Sequence, residues 1–267
     1  MNQSTQSNRT VNINADIGEG FGKFTIGNDA ALMPIIGSAN IACGMHAGDP
    51  CTMARTVRLA LDNGKSIGAH PGFNDIWGFG RRQIRMRPAD LELFVLYQIG
   101  ALQAIAGAQG ARVTHVKPHG ALNNMAHVDI EYARAIGRAI KSADPTLIYV
   151  ANVGSQMHKA GEELGLVVAR EAYVDRRYDD NGQMLSRERA DAVITDGEEA
   201  ARQVVSMVVD RTITSVSGKR ISVEVDTLCV HGDEPTAVAV AAAARKGLEA
   251  AGVTILPLPK MQLGRSA

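Results

Sequence analysis

The feature that most constrains the fold of this chain is the regular alternation of short strand patterns with longer helical patterns along its 267 residues. Strands that alternate with helices form a parallel sheet with right-handed crossovers. Seven or eight such units favour a closed α/β barrel over a doubly wound sheet. The predicted strands are 11–17, 38–43, 66–69, 113–117, 147–151, 166–170 and 227–230, with 253–256 as a possible eighth.

Helical periodicity and capping signals fill the intervals between these strands. The predicted helices are 30–36, 50–63, 88–108, a segment beginning at 121, 129–142, 155–164, 198–209 and 234–251. A hairpin between 212–216 and 221–225 is predicted from Ser217-Gly218-Lys219. No repeat or linker divides the chain, so we expect one barrel domain over 11–267, preceded by a disordered polar tail over 1–10.

Titratable residues stand at or just past the ends of the predicted strands. They are Asp16, His46, His70, His115, Lys117, His119, Glu171 and His231. The carboxyl ends of the strands in a β/α barrel converge at one mouth, where active sites lie. Because each buried polar group needs a partner, five converging histidines indicate a functional site more strongly than they indicate ordinary packing.

The centre of this set is the stretch H-V-K-P-H-G-A-L-N-N, which begins at His115. Its first residues suit a short buried strand, and the proline ends that strand because it has no N–H to give to a sheet. His115, Lys117 and His119 share one parity, so in a strand they point to one face. In a barrel that face is the interior or the rim.

Composition argues against several kinds of partner. Lysine plus arginine equals aspartate plus glutamate, at 28 each, and aromatic residues make up 4%. We therefore expect neither a nucleic acid nor an acidic membrane surface as a partner. The three cysteines form no CxxC pair, and the first ten residues lack the apolar core of a signal peptide. Together with the expectation that no apolar run is long enough to span a bilayer, this predicts a cytoplasmic protein.

Two arginine-containing loops offer sites for an anion, because a guanidinium can bind a carboxylate or phosphate through two hydrogen bonds. Arg81 and Arg82 lie in the long loop 73–87, and a loop of this length in a compact domain is usually functional. Arg176 lies in the stretch D-R-R-Y that follows the sixth predicted strand. Both stretches are equally compatible with solvated turns, so the sequence leaves the two interpretations open.

A metal site is a second interpretation of the histidine set. Asp16, His46, His119 and His231 offer one carboxylate and three imidazoles, which suit an ion that activates water. No H-x-x-x-H or H-E-x-x-H spacing is present, so the ligands have to come from separate strands. The sequence leaves the need for a divalent metal open.

The nucleotide-binding motifs fail on inspection. Gly64-Lys65-Ser66 resembles the end of a P-loop, but it precedes a strand, and Leu59 stands where the leading glycine belongs. The stretch G-E-G-F-G-K from Gly18 has lysine where a dinucleotide fold has its third glycine. A phosphate cradle is therefore not evident in this chain.

Several stretches together resemble the LamB/YcsF family. They are N-A-D-I-G-E-G-F-G from Asn14, S-A-N-I-A-C-G-M-H-A-G-D-P from Ser38, I-G-A-H-P-G-F from Ile67, G-F-G-R-R from Gly78, Y-Q-I-G-A-L from Tyr97, the stretch from His115, E-A-Y-V-D-R-R-Y from Glu171 and C-V-H-G-D from Cys229. The resemblance spans most of the chain. Met45 and Asn123 depart from the aromatic residues that are usual at these places in the family.

The resemblance implies a distorted TIM-like barrel, similar to those of deacetylases and glycoside hydrolases. It implies ATP-dependent 5-oxoprolinase activity, in which the chain opens 5-oxo-L-proline to L-glutamate together with B and C subunits. Because no nucleotide cradle is evident, ATP is expected to bind mainly to the partner subunits. Two alternatives stay open: a metal-dependent deacetylase or amidohydrolase that acts alone, and a non-catalytic protein that binds a lactam.

This interpretation gives each candidate residue an expected role. The candidate catalytic residues are Asp16, Glu19, His46, His70, Lys117 and His119, and the candidate substrate-binding residues are Arg81, His115, Asn123, Glu171, Arg176, His231 and Asp233. Asp16 or Glu19 is expected to deprotonate water, and His119 to act as an acid or polarising donor. Lys117 and His46 are expected to stabilise charge on the lactam oxygen. Arg81 or Arg176 is expected to hold a carboxylate or phosphoryl group.

Overall fold

The computed structural model describes residues 9–186, 189–232 and 235–264. Within these ranges, seven parallel strands close into a barrel in the order β1-β2-β3-β4-β5-β6-β9, and β9 returns to pair with β1. The barrel strands are β1 (Thr10–Ile17), β2 (Ser38–Ala42), β3 (Ser66–His70), β4 (Val113–Val116), β5 (Ile148–Asn152), β6 (Val168–Tyr173) and β9 (Thr227–Val230). The expected α/β barrel is confirmed.

Helices connect the strands and cover the outside of the barrel. They are α1 (Asp29–Leu32), α2 (Pro50–Asp62), α3 (Pro88–Gly107), α4 (Gly120–Val128), α5 (Ile130–Ala143), α6 (Gln156–Glu163), α7 (Gly197–Val209) and α8 (Ala237–Ala250). The expected hairpin forms from β7 (Thr212–Thr214) and β8 (Arg220–Ser222). The last strand, β10 (Thr254–Ile255), pairs only with the start of β1, so it extends the sheet outside the closed ring instead of adding an eighth barrel strand.

The sequence of β1 explains why this barrel has a polar interior. Its residues from Val11 to Ile17 are all buried, and the apolar members of the alternation belong to the main hydrophobic core. The polar members are satisfied across neighbouring strands: Asn12 donates to the Ser38 hydroxyl (2.9 Å) and accepts from the Thr227 hydroxyl (2.8 Å). Buried amides are tolerated where they are hydrogen-bonded. The alternation therefore sets an apolar layer under the helices and a polar column inside the barrel.

Several boundaries differ from the sequence predictions. Strand β6 runs to Tyr173, so Glu171 lies inside a strand and not after it. Asn28 caps α1 by accepting from the Ala31 N–H, while Asp29 instead accepts from the Gly18 N–H. Thr10 is already part of β1, so the expected tail is too long at that end. Residues 1–8 of that tail lie outside the described residues.

Helix α3 corrects one expectation. Among the described residues it is the one helix long enough and apolar enough, by length and composition, to cross a membrane. Its Leu91, Val95, Ile99 and Leu102 are fully buried in the main core. A core helix that packs on a barrel passes the same test of length and composition, so the helix by itself is weak support for a membrane span.

Candidate active site

A polar cavity of about 550 Å³ opens where the carboxyl ends of the barrel strands meet. Side chains from separate strands and from the loops after them line it, including Asp16, His70, Arg81, Lys117, His119, Asn123, Tyr173, Arg176 and His231. Most of the predicted set therefore converges at one mouth. The groups around the cavity divide into a strand side, formed by Asn14, Asp16, Asn40, His115, Lys117, Glu171 and Cys229, and an imidazole side, formed by Glu19, His46, His70, Phe79, Gly80 and His119.

Lys117 is the centre of the strand side. Its ammonium donates to Asp16 Oδ1 (2.6 Å) and to Cys229 Sγ (3.2 Å), and Glu171 Oε1 lies 3.9 Å away. Only 2% of the lysine is exposed. A charge buried this deeply is stable only when it is paired and hydrogen-bonded, so the cavity floor is a fixed positive charge held between two acids.

The electrostatics keep this pair ionised. Burial alone would lower the pKa of Lys117, but Asp16, Cys229 and Glu171 outweigh burial and raise that pKa well above its ordinary value. Burial alone would raise the pKa of Asp16, but His70 and Lys117 hold it well below its ordinary value. A carboxylate with so low a pKa is a weak base. The geometry makes Asp16 the counter-ion that orients Lys117, and the low pKa makes it a weaker base than an ordinary carboxylate.

An amide ladder supports Asp16 from inside the barrel. Asn40 donates to Asp16 Oδ1 (2.9 Å) and to the side-chain oxygen of Asn14 (2.7 Å). The Asn40 oxygen accepts from His115 Nε2 at 3.1 Å. Burial lowers the pKa of His115 to about 3, so this ring is neutral. His115 is fully buried and does not line the cavity. His115 was expected to contact substrate, but it lies below the cavity floor, where it supports Asn40.

Glu171 also lies below the cavity floor. It is fully buried, and its Oε1 accepts from Asn14 Nδ2 at 3.1 Å, while its Oε2 has no hydrogen-bond partner. Burial raises the pKa of Glu171 to about 7, against the opposing effect of Lys117. Because β6 extends beyond its predicted end, Glu171 lies within the strand. It contacts Lys117 and Asn14 there and does not line the cavity as expected.

His70 and His119 form the core of the imidazole side. His70 Nδ1 donates to the Lys117 carbonyl (2.6 Å), and His119 Nε2 donates to the Phe79 carbonyl (2.7 Å). These carbonyls only accept, so each outer nitrogen must carry its hydrogen. The inner nitrogens, His70 Nε2 and His119 Nδ1, face each other at 3.0 Å. A hydrogen bond between these two nitrogens needs a proton on one of them; without that proton, both present lone pairs to the space between the rings.

His46 and Glu19 pack behind this pair. His46 Nε2 lies 3.2 Å from Glu19 Oε1, and the same oxygen lies 3.6 Å from His119 Nδ1. The rings of His46 and His119 stack with centroids 3.6 Å apart and planes 7° from parallel. Burial, with His119 and His70 nearby, lowers the pKa of His46 well below its ordinary value. Neither His46 nor Glu19 lines the cavity, so they act on it through His119 and not by direct contact.

The loop after β3 closes over these rings at Phe79 and Gly80. Phe79 has a positive φ of 53°, which is rare outside glycine, and this conformation presents its carbonyl to His119. A Cβ at Gly80 would lie 2.6 Å from the Cβ of His46 and 2.8 Å from His119 Cδ2. Glycine is therefore required there by both the backbone angle and the close approach of the two imidazoles.

Cations and hydrogen-bonding groups line the cavity wall. Arg81 lines the cavity and lies over the Phe79 ring at 5.0 Å, whereas Arg82 forms an ion pair with Asp75. The expected Arg81-Arg82 clamp is thus reduced to Arg81. Arg176 also lines the cavity, is buried, and donates to the Leu185 carbonyl.

Two further predicted residues face the same space. Asn123 is only 4% exposed, and its side-chain oxygen has no hydrogen-bond partner although it lines the cavity. His231 donates through Nδ1 to Asp175 at 2.9 Å and stacks on Tyr173, with ring centroids 5.2 Å apart. Asp233, the remaining predicted site residue, lies outside the described residues. Tyr173 and Cys229 were not predicted as site residues, because a single tyrosine or cysteine at a strand end does not by itself indicate a functional site.

The structure changes the metal-ligand set expected from the sequence. The donor atoms of Glu19, His46, His70 and His119 all lie within 4.8 Å of one another. His231, an expected ligand, is instead held by Asp175, and Asp16 is held by Lys117 and Asn40. Imidazole and carboxylate donors suit zinc and neighbouring transition metals. Among the described residues, this buried cluster, which reaches the cavity through His70 and His119, is the group that can hold a metal ion.

Three backbone N–H groups of the glycine-rich loop after β1 are used internally. The Gly18 N–H donates to Asp29, the Gly22 N–H to Asp49, and the Phe21 N–H to the Phe24 carbonyl. At the other candidate motif, the Lys65 N–H donates to Ala60 and the chain then enters β3. Neither loop presents the row of amides that a P-loop offers to phosphates.

Comparison with known proteins places these features in a family. The family model described as "LamB/YcsF family" matches residues 11–263. A Natranaerobius thermophilus protein, named as the A subunit of 5-oxoprolinase, is 48% identical over 250 residues, which cover 94% of this chain and 97% of that protein. The crystal structure of a lactam utilization protein from Thermus thermophilus has a TM-score of 0.89 and 44% identity, covering 93% of this chain and all of that one.

A more distant likeness concerns the fold alone. The catalytic domain of a peptidoglycan N-acetylglucosamine deacetylase from Eubacterium rectale matches 98% of this chain and 94% of that chain with a TM-score of 0.53 and 12% identity. The expected likeness to deacetylase barrels is confirmed at the level of architecture. At this identity it carries no inference about substrate.

Proposed function

Because the chain belongs to the LamB/YcsF family, we propose that it is the A subunit of an ATP-dependent 5-oxoprolinase, which opens the lactam ring of 5-oxo-L-proline to L-glutamate. It acts with B and C subunits, which supply most of the ATP site. Its three cysteines are free thiols, which is compatible with action in the reducing cytoplasm.

The observation that carries this proposal is the fixed ammonium of Lys117 at the floor of a polar cavity that has a buried imidazole cluster on one wall. A cavity of about 550 Å³ is within the roughly 300–1,000 Å³ of small-molecule sites. A five-membered lactam is a stable amide. Its opening needs positive charge near the carbonyl oxygen, where negative charge develops, and groups that move a proton from water to the ring nitrogen.

The reaction of a phosphorylated lactam uses both sides of the site. In a lactam phosphorylated on its oxygen, one water adds to the ring carbon, both protons of that water pass to the ring nitrogen, and the carbon–nitrogen bond breaks to leave an acyl phosphate and a free amine. A second water releases inorganic phosphate and L-glutamate. Lys117, oriented by Asp16, stabilises charge on the oxygen, and the imidazole side takes the proton from water and returns it to nitrogen.

The remaining lining groups recognise the substrate. Arg81 and Arg176 provide guanidinium groups for the carboxylate and phosphoryl oxygens. The unpartnered oxygen of Asn123 suits the ring N–H, because a buried acceptor without a partner is costly until a ligand donates to it. His231, held by Asp175, completes the wall beside Tyr173.

The division of labour is tested by reconstitution. L-glutamate formation from 5-oxo-L-proline and ATP is measured with this chain alone, with B and C alone, and with all three. Only the complete mixture is expected to form glutamate, because three amides of the loop after β1 and those of residues 64–66 are engaged internally, which leaves no row of amides for a triphosphate. Comparable turnover by this chain alone contradicts the proposed role of B and C, and full activity without this chain denies it a catalytic role.

The two alternatives predict different results in the same assay. A metal-dependent deacetylase or amidohydrolase that acts alone keeps its activity without B, C and ATP. A non-catalytic lactam-binding protein binds 5-oxo-L-proline but makes no difference to turnover.

A further inference from the structure

The hydrogen bonds of two histidines fix where their lone pairs point. The outer nitrogens of His70 and His119 donate to the backbone carbonyls of Lys117 and Phe79, at 2.6 and 2.7 Å. Metal-binding histidines usually donate their second N–H to a carbonyl or carboxylate, which fixes the tautomer and the ring orientation. The inner nitrogens are thereby prepared as electron-pair donors, and they face each other at 3.0 Å with ring planes 87° apart.

Carboxylate oxygens adjoin the same point. Glu19 Oε1 lies 3.6 Å from His119 Nδ1, and Asp16 Oδ2 lies 3.3 Å from His70 Nε2. Donor atoms bound roughly 2.0–2.2 Å from a tetrahedral ion lie roughly 3.3–3.6 Å from one another. The measured separations of 3.0 and 3.6 Å therefore bracket that spacing, and the acids supply negative charge to balance a cation.

We propose that His70 Nε2, His119 Nδ1 and a carboxylate oxygen of Glu19 bind one divalent transition-metal ion of the zinc class. The site borders the cavity, which gives an entry path, because His70 and His119 line it. An ion bound there would supply a Lewis acid beside the substrate and lower the pKa of a bound water. With the ion bound, His70 and His119 would hold it instead of carrying the proton themselves.

His46 belongs behind the ligands and not among them. Its ring stacks on His119 with planes 7° from parallel, and the lone pair of an imidazole lies in the plane of its ring. Two parallel rings 3.6 Å apart cannot aim both lone pairs at one ion without rotating. His46 Nε2 instead faces Glu19 at 3.2 Å, where an N–H orients the ligating carboxylate.

The inference rests on donor atoms and not on the proposed reaction, so it is tested by binding. The full chain is stripped with a chelator, dialysed, and titrated with zinc chloride in a calorimeter without substrate or partner subunits. One zinc ion per chain is expected. Cobalt(II), added to the same unsubstituted chain, is expected to give visible absorption that zinc then displaces.

Matched variants identify the ligands. Glu19→Gln and His119→Asn are each expected to weaken zinc binding at least tenfold, since supporting groups alone typically contribute 10–100-fold. His231→Asn removes another imidazole that lines the cavity and is expected to keep full affinity. Far-UV circular dichroism checks that each variant is folded, and the cobalt spectrum of the unsubstituted chain does not depend on any variant.

Three outcomes overturn the proposal. The first is the absence of saturable zinc binding and of a zinc-displaceable cobalt spectrum in the unsubstituted chain. The second is zinc binding that survives both Glu19→Gln and His119→Asn. The third is loss of zinc binding in His231→Asn, which would mean that His231 is among the ligands. Because no turnover is measured, failure of the proposed lactam chemistry leaves these results unchanged.

Discussion

The two sides of the cavity are built in different ways. On the strand side, Asp16 and the amides are held by barrel strands, and Lys117 has three partners within 4 Å. On the imidazole side, Glu19, His46 and His119 follow strands, and a loop with a positive-φ phenylalanine closes over them. The strand side is mainly a hydrogen-bonded network inside the closed sheet, with Lys117 one residue past the end of β4. The imidazole side has only His70 within a strand and otherwise depends on the loops.

Because the two sides are built differently, substitutions on them are expected to have different effects on stability and turnover. Removing a member of the strand side leaves a buried charge without its partner, so the main cost falls on folding. Removing His119 from the imidazole side breaks no ion pair, because burial lowers the pKa of that ring well below its ordinary value, so the main cost falls on chemistry. Predictions that compare stability with turnover can therefore break or sharpen this contrast.

The largest effect is expected from Lys117→Met, which keeps an apolar stem but removes the charge between Asp16 and Glu171. The free energy of unfolding is expected to fall by about 3–5 kcal/mol, because breaking a buried pair leaves an uncompensated charge. Glutamate formation by the complete three-component mixture is expected to fall at least a hundredfold. Urea unfolding followed by circular dichroism measures the first effect.

A double variant tests the cause of that loss. Asp16→Asn combined with Lys117→Met removes both charges, so it is expected to be more stable than Lys117→Met alone. A double variant as unstable as the sum of the two single variants would mean that the lysine acts through packing and not through its charge.

Glu171→Gln is expected to change how stability depends on pH. The pKa of Glu171 is raised from 4.5 to about 7, so the folded state holds a proton that the unfolded state releases between these values. Stability from this group is present below about pH 4.5 and is lost as the pH rises to about 7, by up to about 3 kcal/mol. Glutamine does not ionise, so the variant is expected to gain stability relative to the parent chain between pH 5 and 8.

The measurement is the difference between the two urea midpoints at each pH, which cancels titrating groups that the two chains share. The charged and polar groups around Glu171 are Lys117, Asp16, Asn14 and Tyr173. A difference that stays flat from pH 5 to 8 would show that Glu171 is ionised throughout and paired with Lys117.

His119→Ala tests the imidazole side directly. Turnover is expected to fall about a hundredfold, the usual scale for losing a positioned proton-transfer group. The free energy of unfolding is expected to fall by only about 1–2 kcal/mol, because the loss is a hydrogen bond to the Phe79 carbonyl and a stacked ring. A stability loss as large as that of Lys117→Met would remove the distinction between the two sides.

The sequence predicted the barrel well because its signals are local. The alternation in 11–17, the proline after Lys117 and the glycines at strand ends each act within a few residues. The convergence of Asp16, His70, Lys117 and His119 followed from the barrel itself, since parallel strands bring their carboxyl ends together.

What the sequence did not provide depends on distant contacts. Glu171 was placed after a strand because a carboxylate inside a barrel is unfavourable unless a partner such as Lys117 is present. Asn14 and Asn40 were overlooked because an uncharged amide has no functional signature until its partners are known. The exchange of Asp16 and His231 for Glu19 and His70 among the possible metal ligands depends on how the chain continues past the strand ends, which no local pattern fixes.

The smallest effect, and the sharpest test of the loop contribution, is expected from Gly80→Ala. Its φ is +63°, and an added Cβ would lie 2.6 Å from the Cβ of His46 and 2.8 Å from His119 Cδ2. Gly22→Ala is the matched control, because Gly22 has a φ of +59° with nothing within 4 Å of an added Cβ. Both variants are expected to lose about 1–2 kcal/mol of unfolding free energy from the left-handed backbone.

Only Gly80→Ala also displaces the imidazoles, so its turnover is expected to fall about tenfold while that of Gly22→Ala stays near the parent value. Displacing positioned groups by about 1 Å can cost up to about a hundredfold in rate, so a tenfold loss corresponds to a partial shift of His119. Equal turnover in the two variants would mean that the imidazole rings keep their positions when the loop over them is altered. The rings would then be held as firmly as the groups of the strand side. In that case the contrast between the two sides of the cavity would be wrong.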